Sequence, residues 1–163
     1  MGKKCFNILL NSTDTSSYNG LNGNANYYIS FGNIISKEDM DQPYKVTLRF
    51  KSKQTSAQIT DTLYFLSMNF LNKTRVQQNT SFSQIFAILS RYTESITAPA
   101  NGSTLTYQYE CLQPDNPPVY LDNLRDIAQL SVKITTDDMK TTVTGFPNYA
   151  IILNFEQVWK IIC

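Results

Sequence analysis

The sequence contains no histidine. That removes Ser-His-Asp and Cys-His catalysis together with every His-ligated metal. It also removes the side chain best suited to proton transfer near neutral pH. Charge is sparse as well: charged residues make up 17% and the net charge is +1. Proteins that bind polyanions cluster Lys and Arg, so nucleic acid is not expected as a partner. Cysteine is limited to Cys5, Cys111 and Cys163, with no CxxC pair, so a zinc centre or redox motif has no support. The three are read as buried free thiols, with a Cys5–Cys111 disulfide as the alternative. No run approaches the ~18 apolar residues of a membrane span. The start, Met1-Gly2-Lys3-Lys4-Cys5-Phe6, opens like a secretion leader, but its apolar stretch is broken by Asn7 and stops at Leu10. Phe6 also stands where a myristoylation signal needs Ser or Thr. Synthesis and folding in a reducing cytoplasm follow as the expectation.

What is present is the material of a folded domain. The 163 residues fit one domain, taken as 1–163, large enough to hold a core without metal or disulfide. Ten Tyr and nine Phe give that core its bulk. With so few charges, the surface must be built from Asn, Ser, Thr and Gln. Such a surface repels neighbours weakly, which suits packing into an assembly and also suits an extracellular lectin. Four sequons begin at Asn11, Asn72, Asn79 and Asn101, about as many as the Asn, Ser and Thr content yields by chance.

The dominant period is two. Tyr44, Val46, Leu48 and Phe50 alternate with Lys45, Thr47, Arg49 and Lys51, a strand with one buried and one wet face. The same alternation runs through 105–111 and 130–134. Three runs, 63–71, 82–89 and 149–155, are apolar on both faces and predict strands covered on both sides or facing a neighbouring subunit. Weaker strands are expected at 6–10, 27–31 and 119–121, and one helical turn within 121–128. Helical spacing of Phe82, Ile85, Phe86 and Leu89 makes a helix the alternative for 82–92. Turn signals separate the runs: Asn19-Gly20-Leu21-Asn22-Gly23-Asn24, Pro99-Ala100-Asn101-Gly102, Pro114-Asp115-Asn116-Pro117-Pro118 and Gly145-Phe146-Pro147-Asn148. Many short strands with regular turns predict an all-β fold, an antiparallel sandwich or barrel. Residues 1–26 are expected to be partly flexible.

Candidate sites are few. Glu38, Asp39 and Asp41 share one acidic loop, and Asp137 and Asp138 another. Paired carboxyls serve glycosidases, and oxygen-rich loops hold calcium, but solvated turns use the same residues. The loop with Gly20 and Gly23 lacks the Lys-Ser/Thr of a phosphate-binding loop. Lys45, Arg49, Lys51 and Lys53 form a basic stripe on one strand face, either a contact for an acidic partner or nucleic acid, or the wet face of a guarded edge. Val158-Trp159-Lys160-Ile161-Ile162-Cys163 is bulky and apolar. It reads as a last strand running onward, or as a docking tail over 158–163 in which Trp159, Ile161 and Ile162 add to a partner.

Two stretches carry a family resemblance. Residues 26–53 read NYYISFGNIISKEDMDQPYKVTLRFKSK, an early strand, an acidic turn and an amphipathic strand. Residues 117–158 end in a strand of the type LSVKI, a loop and a closing strand YAIILNFEQV. In this pattern the chain resembles the single jelly-roll minor capsid and penton-type proteins of large icosahedral double-stranded DNA viruses. The resemblance implies a single eight-stranded jelly roll and a structural, non-enzymatic role in the virion, with no cofactor. It implies major and other minor capsid proteins as partners, in homo- or hetero-oligomers, beneath or between capsomers or at vertices. The alternative is a lectin-like or protein-binding β-sandwich module.

Overall fold

The structure is a computed structural model that describes residues 3–12, 17–19, 24–55, 63–69, 85–97, 104–111, 118–136 and 149–158. Among the described residues there are ten strands and one short helix. In chain order they are β1 (Cys5–Asn11), β2 (Ser17–Asn19), β3 (Asn24–Tyr28), α1 (Lys37–Met40), β4 (Tyr44–Thr55), β5 (Leu63–Met68), β6 (Ile85–Thr97), β7 (Thr104–Cys111), β8 (Val119–Leu121), β9 (Gln129–Thr135) and β10 (Tyr149–Gln157). Every pairing is antiparallel. The fold is an all-β antiparallel sandwich.

The pairings nest. β1 pairs with β10, β3 with β9, β4 with β7, and β5 with β6. This is the pattern of one long hairpin wound over itself. Winding brings β10 beside β4 and β5 beside β9 as well. The resulting order is β1-β10-β4-β7-β6-β5-β9-β3-β2, with β8 alongside β4. The halves β1-β10-β4-β7 and β6-β5-β9-β3 face each other as two layers. Side chains that meet across the core establish this. The Tyr27 hydroxyl on β3 donates to the Tyr149 hydroxyl on β10 at 3.3 Å. The rings of Tyr64 on β5 and Tyr109 on β7 lie 5.2 Å apart, edge to face. Neither pair of strands is adjacent in the sheet.

The layers are joined through β6 and β7. Residues 85–90 of β6 pair with β5, while 89–97 pair with β7. The register shifts between Arg91 and Thr93. An extra residue bends a strand and raises its twist, which is how a strand leaves one layer for the other. β4 divides its pairing in the same manner, 44–52 with β10 and 51–55 with β7.

Alternation then builds the core. Tyr44, Val46, Leu48 and Phe50 of β4 are buried, as are Tyr149, Ile151, Leu153 and Phe155 of β10. Tyr64, Leu66 and Met68 join them from β5, and Leu130, Val132 and Ile134 from β9. Aromatics close one end: Phe6 stacks on Phe155 with centroids 5.0 Å apart, and Phe31 meets the same ring edge-on at 5.7 Å. Each buried ring of this size removes well over ~100 Å² from water.

Several details differ from the sequence expectation. The apolar run at 149–155 is not covered on both sides, because Ile152 points outward and is 38% exposed. β3 starts and ends earlier than the expected 27–31, since Phe31 turns into a single 3-10 turn and enters the core. Phe82 lies outside the described residues, but Ile85–Thr97 is strand, so the helical alternative fails there. The 121–128 segment carries one hydrogen-bonded turn, with the Ile127 N–H donating to the Leu124 carbonyl at 3.2 Å, but no helix; Leu124 N–H in turn donates to the Met40 carbonyl at 2.8 Å. The acidic loop gains one turn of helix, α1, because the Ser36 hydroxyl accepts from the Asp39 N–H at 3.2 Å and caps it.

Leu153→Ala leaves a cavity between the layers and should cost about 2–5 kcal/mol, whereas Ile152→Ala, one residue away but outward, should stay within about 1 kcal/mol. Urea unfolding of the two variants checks the assignment of faces.

Candidate interaction face

The register stacks the outward positions of β1, β10 and β4 into rungs. Leu9 lies opposite Ile152, which lies opposite Arg49. Asn7, Asn154 and Thr47 form the next rung, and Cys5, Glu156 and Lys45 the one after, extended by Tyr120 on β8. Because strand side chains alternate, all of these share the outer face of one layer.

The centre of this face is apolar and its flanks are polar. Leu9 is 65% exposed and sits beside Ile152. Asn154 donates its side-chain amide to the Asn7 Oδ1 at 2.8 Å, which fixes both amides in the plane of the face. At the far end Glu156 lies between two cations, 3.7 Å from Lys3 and 3.6 Å from Lys45. Exposed pairs of this kind contribute about 0–1 kcal/mol, so they neutralise charge more than they stabilise. Glu156 offsets only part of the positive charge that Lys3, Lys45, Arg49 and Lys51 bring to this face, which is mildly basic around a hydrophobic centre.

The basic stripe falls on this face and is changed by it. Lys45 is paired with Glu156, while Arg49 and Lys51 are exposed along β4. Arg49 neighbours Ile152 rather than another cation in the rung. The stripe is one column of a mixed surface, not a basic patch. Lys53 lies on β4, beyond the residues whose side chains are described. The docking-tail residues Trp159, Ile161 and Ile162, and the second acidic pair Asp137 and Asp138, lie outside the described residues. Leu9 and Ile152 were absent from the candidates. The apolar run at 149–155 was the signal for Ile152; nothing local marked Leu9, whose partner is far along the chain.

The first acidic loop is occupied by structure. Asp39 accepts from the Ser36 hydroxyl at 2.9 Å and lies 4.0 Å from the Lys4 ammonium. Asp41 is ion-paired with Arg125. Among the described residues, no group of three or more His, Cys, Asp or Glu side chains is placed to hold a metal ion. Cys5 corrects another expectation: it is an exposed free thiol on the outer face of β1, not a buried one. No helix among the described residues is long and apolar enough to cross a membrane.

Tyr44 anchors this corner from inside. Its hydroxyl donates to the Asp39 carbonyl at 3.2 Å. Burial pushes its pKa above the ordinary value, and the nearby Asp39 and Cys5 raise it further. The folded chain thus keeps this proton at a pH where the unfolded chain has lost it. The folded state then binds more protons, so stability falls as pH rises through the ordinary tyrosine value of about 10. Tyr44→Phe should cost about 1 kcal/mol at neutral pH through the lost hydrogen bond. It should also flatten the alkaline fall in stability, as measured by denaturant midpoints taken on both sides of that pH.

No protein-family model matches the chain, and no curated protein matches it either.

Proposed function

We propose that the chain is a structural, non-catalytic minor component of the icosahedral shell of a large DNA virus. In this reading the sandwich is a jelly roll, and its β1-β10-β4 face packs against capsomers or vertex neighbours. The observation that carries the proposal is the nested pairing, β1 with β10, β3 with β9, β4 with β7 and β5 with β6. A jelly roll is a double-sheet fold of eight strands that interlocks two Greek keys, and a hairpin wound over itself generates that order. The face supports the role. Interfaces place apolar groups at a charge-depleted centre, polar groups at the rim, and depend on close shape complementarity. Leu9 and Ile152 are the apolar centre, Arg49 flanks it on β4, and Lys3, Glu156 and Lys45 form the far rim.

The partners in this reading are the major capsid protein and other minor capsid proteins, and the location is the virion. Peptide mass spectrometry of purified particles should find the chain at a fixed stoichiometry. Absence from the particles rejects the proposal, and saturable, selective binding to a glycan array by the isolated chain points to a lectin instead. The double variant Leu9→Gln with Ile152→Thr removes the apolar centre without placing like charges opposite Arg49, and it should fold with stability within about 2 kcal/mol of the parent, since both side chains face outward. Its incorporation into particles should drop severalfold.

A further inference from the structure

We propose that two copies of this chain associate through antiparallel pairing of β1 with β1 about a two-fold axis at Asn7. β1 stands at the end of the sheet order and, among the described residues, pairs only with β10. The Ser12 N–H donates to the Tyr149 carbonyl, and the Gln157 N–H to the Lys4 carbonyl. Antiparallel alternation therefore turns the peptide groups of Phe6, Ile8 and Leu10 toward β10 and those of Cys5, Asn7 and Leu9 toward the open side. An open edge is ordinarily protected by Lys, Pro, a bulge or short length. β1 has none of these: it reads CFNILLN over 7 residues in unbroken register. The opposite end of the sheet is β2, whose strand spans 3 residues.

The open side is also apolar. A groove runs along β1, lined by Leu9, Tyr28 and Ile34 among others. Those three are 65%, 74% and 47% exposed. A second β1 fits this edge because the strand is complementary to itself. With Asn7 on the axis, Cys5 of one copy lies opposite Leu9 of the other, and Asn7 opposite Asn7. All three outward residues of both copies are then paired, in about six hydrogen bonds. Lys3 and Lys4 fall opposite Asn11 and Leu10 of the other copy, so no like charges meet. Centring on Cys5 or Leu9 leaves part of the edge unpaired. Pairing head to tail with β2 uses only its short strand and propagates without closing, whereas the two-fold closes. Each Leu9 packs beside the other copy's Cys5.

The inference does not rest on the capsid reading, and the purified full chain alone tests it. Sedimentation velocity over a wide concentration range should show a reversible dimer. Asn7→Pro removes an N–H that faces away from β10, a position where an edge strand tolerates proline. It should weaken the dimer at least tenfold while the melting temperature changes by only a few degrees. In a Cys5→Ser background, Asn7→Cys should be joined into a covalent dimer by a short bismaleimide cross-linker, because paired Cα atoms about 5.5 Å apart lie well within its span. Cys5→Ser alone should not form that link. A chain monomeric at every concentration overturns the proposal, even if a strand from another protein docks on the same edge. So does an Asn7→Pro dimer as tight as the parent, or failure of the cysteine pair to link. Should Asn7→Pro not fold, the cysteine pair decides.

Discussion

The structure depends on holding β10 between β1 and β4. β10 lies far along the chain from both β1 and β4, so bringing them together costs substantial loop entropy before any contact is gained. The return is concentrated on one face of β10, where Tyr149, Ile151, Leu153 and Phe155 all enter the core. A slip of one residue would turn that set outward and bring Ile152 inward, so the register is strongly specified. Phe155 adds a directional lock, since it stacks on Phe6 from β1 and meets Tyr44 from β4 edge-on.

That same register creates the outer face. Once Ile151 and Leu153 are committed inward, Ile152 has no choice but to face out, beside Leu9. The chain surrounds a hydrophobic centre with amides and with a few cations, of which Lys3 and Lys45 share Glu156. An apolar centre ringed by polar groups is the arrangement that protein interfaces share. The acidic loop contributes little chemistry by comparison. Ser36, Lys4 and Arg125 take up its carboxylates and use them to cap α1 and to fasten the 121–128 bend to the sandwich.

Much of the fold was legible because alternation is a local signal. The strands at 44–51, 105–111, 119–121 and 130–134 lie within β4, β7, β8 and β9. β2 was missed because Ser-Tyr-Asn has no apolar rhythm of its own; its pairing with β3 places it. The one-turn helix α1 was missed although Ser36 and Asp39 have the spacing of an N-terminal cap. A short polar helix has no apolar period to reveal it. Of the candidate interface residues, Lys45, Arg49 and Lys51 were recognised by alternation, but their meaning was not. The cation stripe becomes a mixed face only when Glu156 and Ile152 are laid next to it.

By itself, the sequence determined which residues of each strand share a face, since a period of two needs only neighbours along the chain. It also determined that histidine chemistry is absent. Tertiary structure alone decided which strands are neighbours, and so which outward residues form one surface. Leu9 and Ile152 acquire a joint role only through the β1–β10 ladder, and β1 becomes an open edge only because β10 pairs it on one side. The physical reason is that backbone hydrogen bonds carry no side-chain identity. Partner choice is set by the summed burial of both layers, a quantity that no local stretch contains.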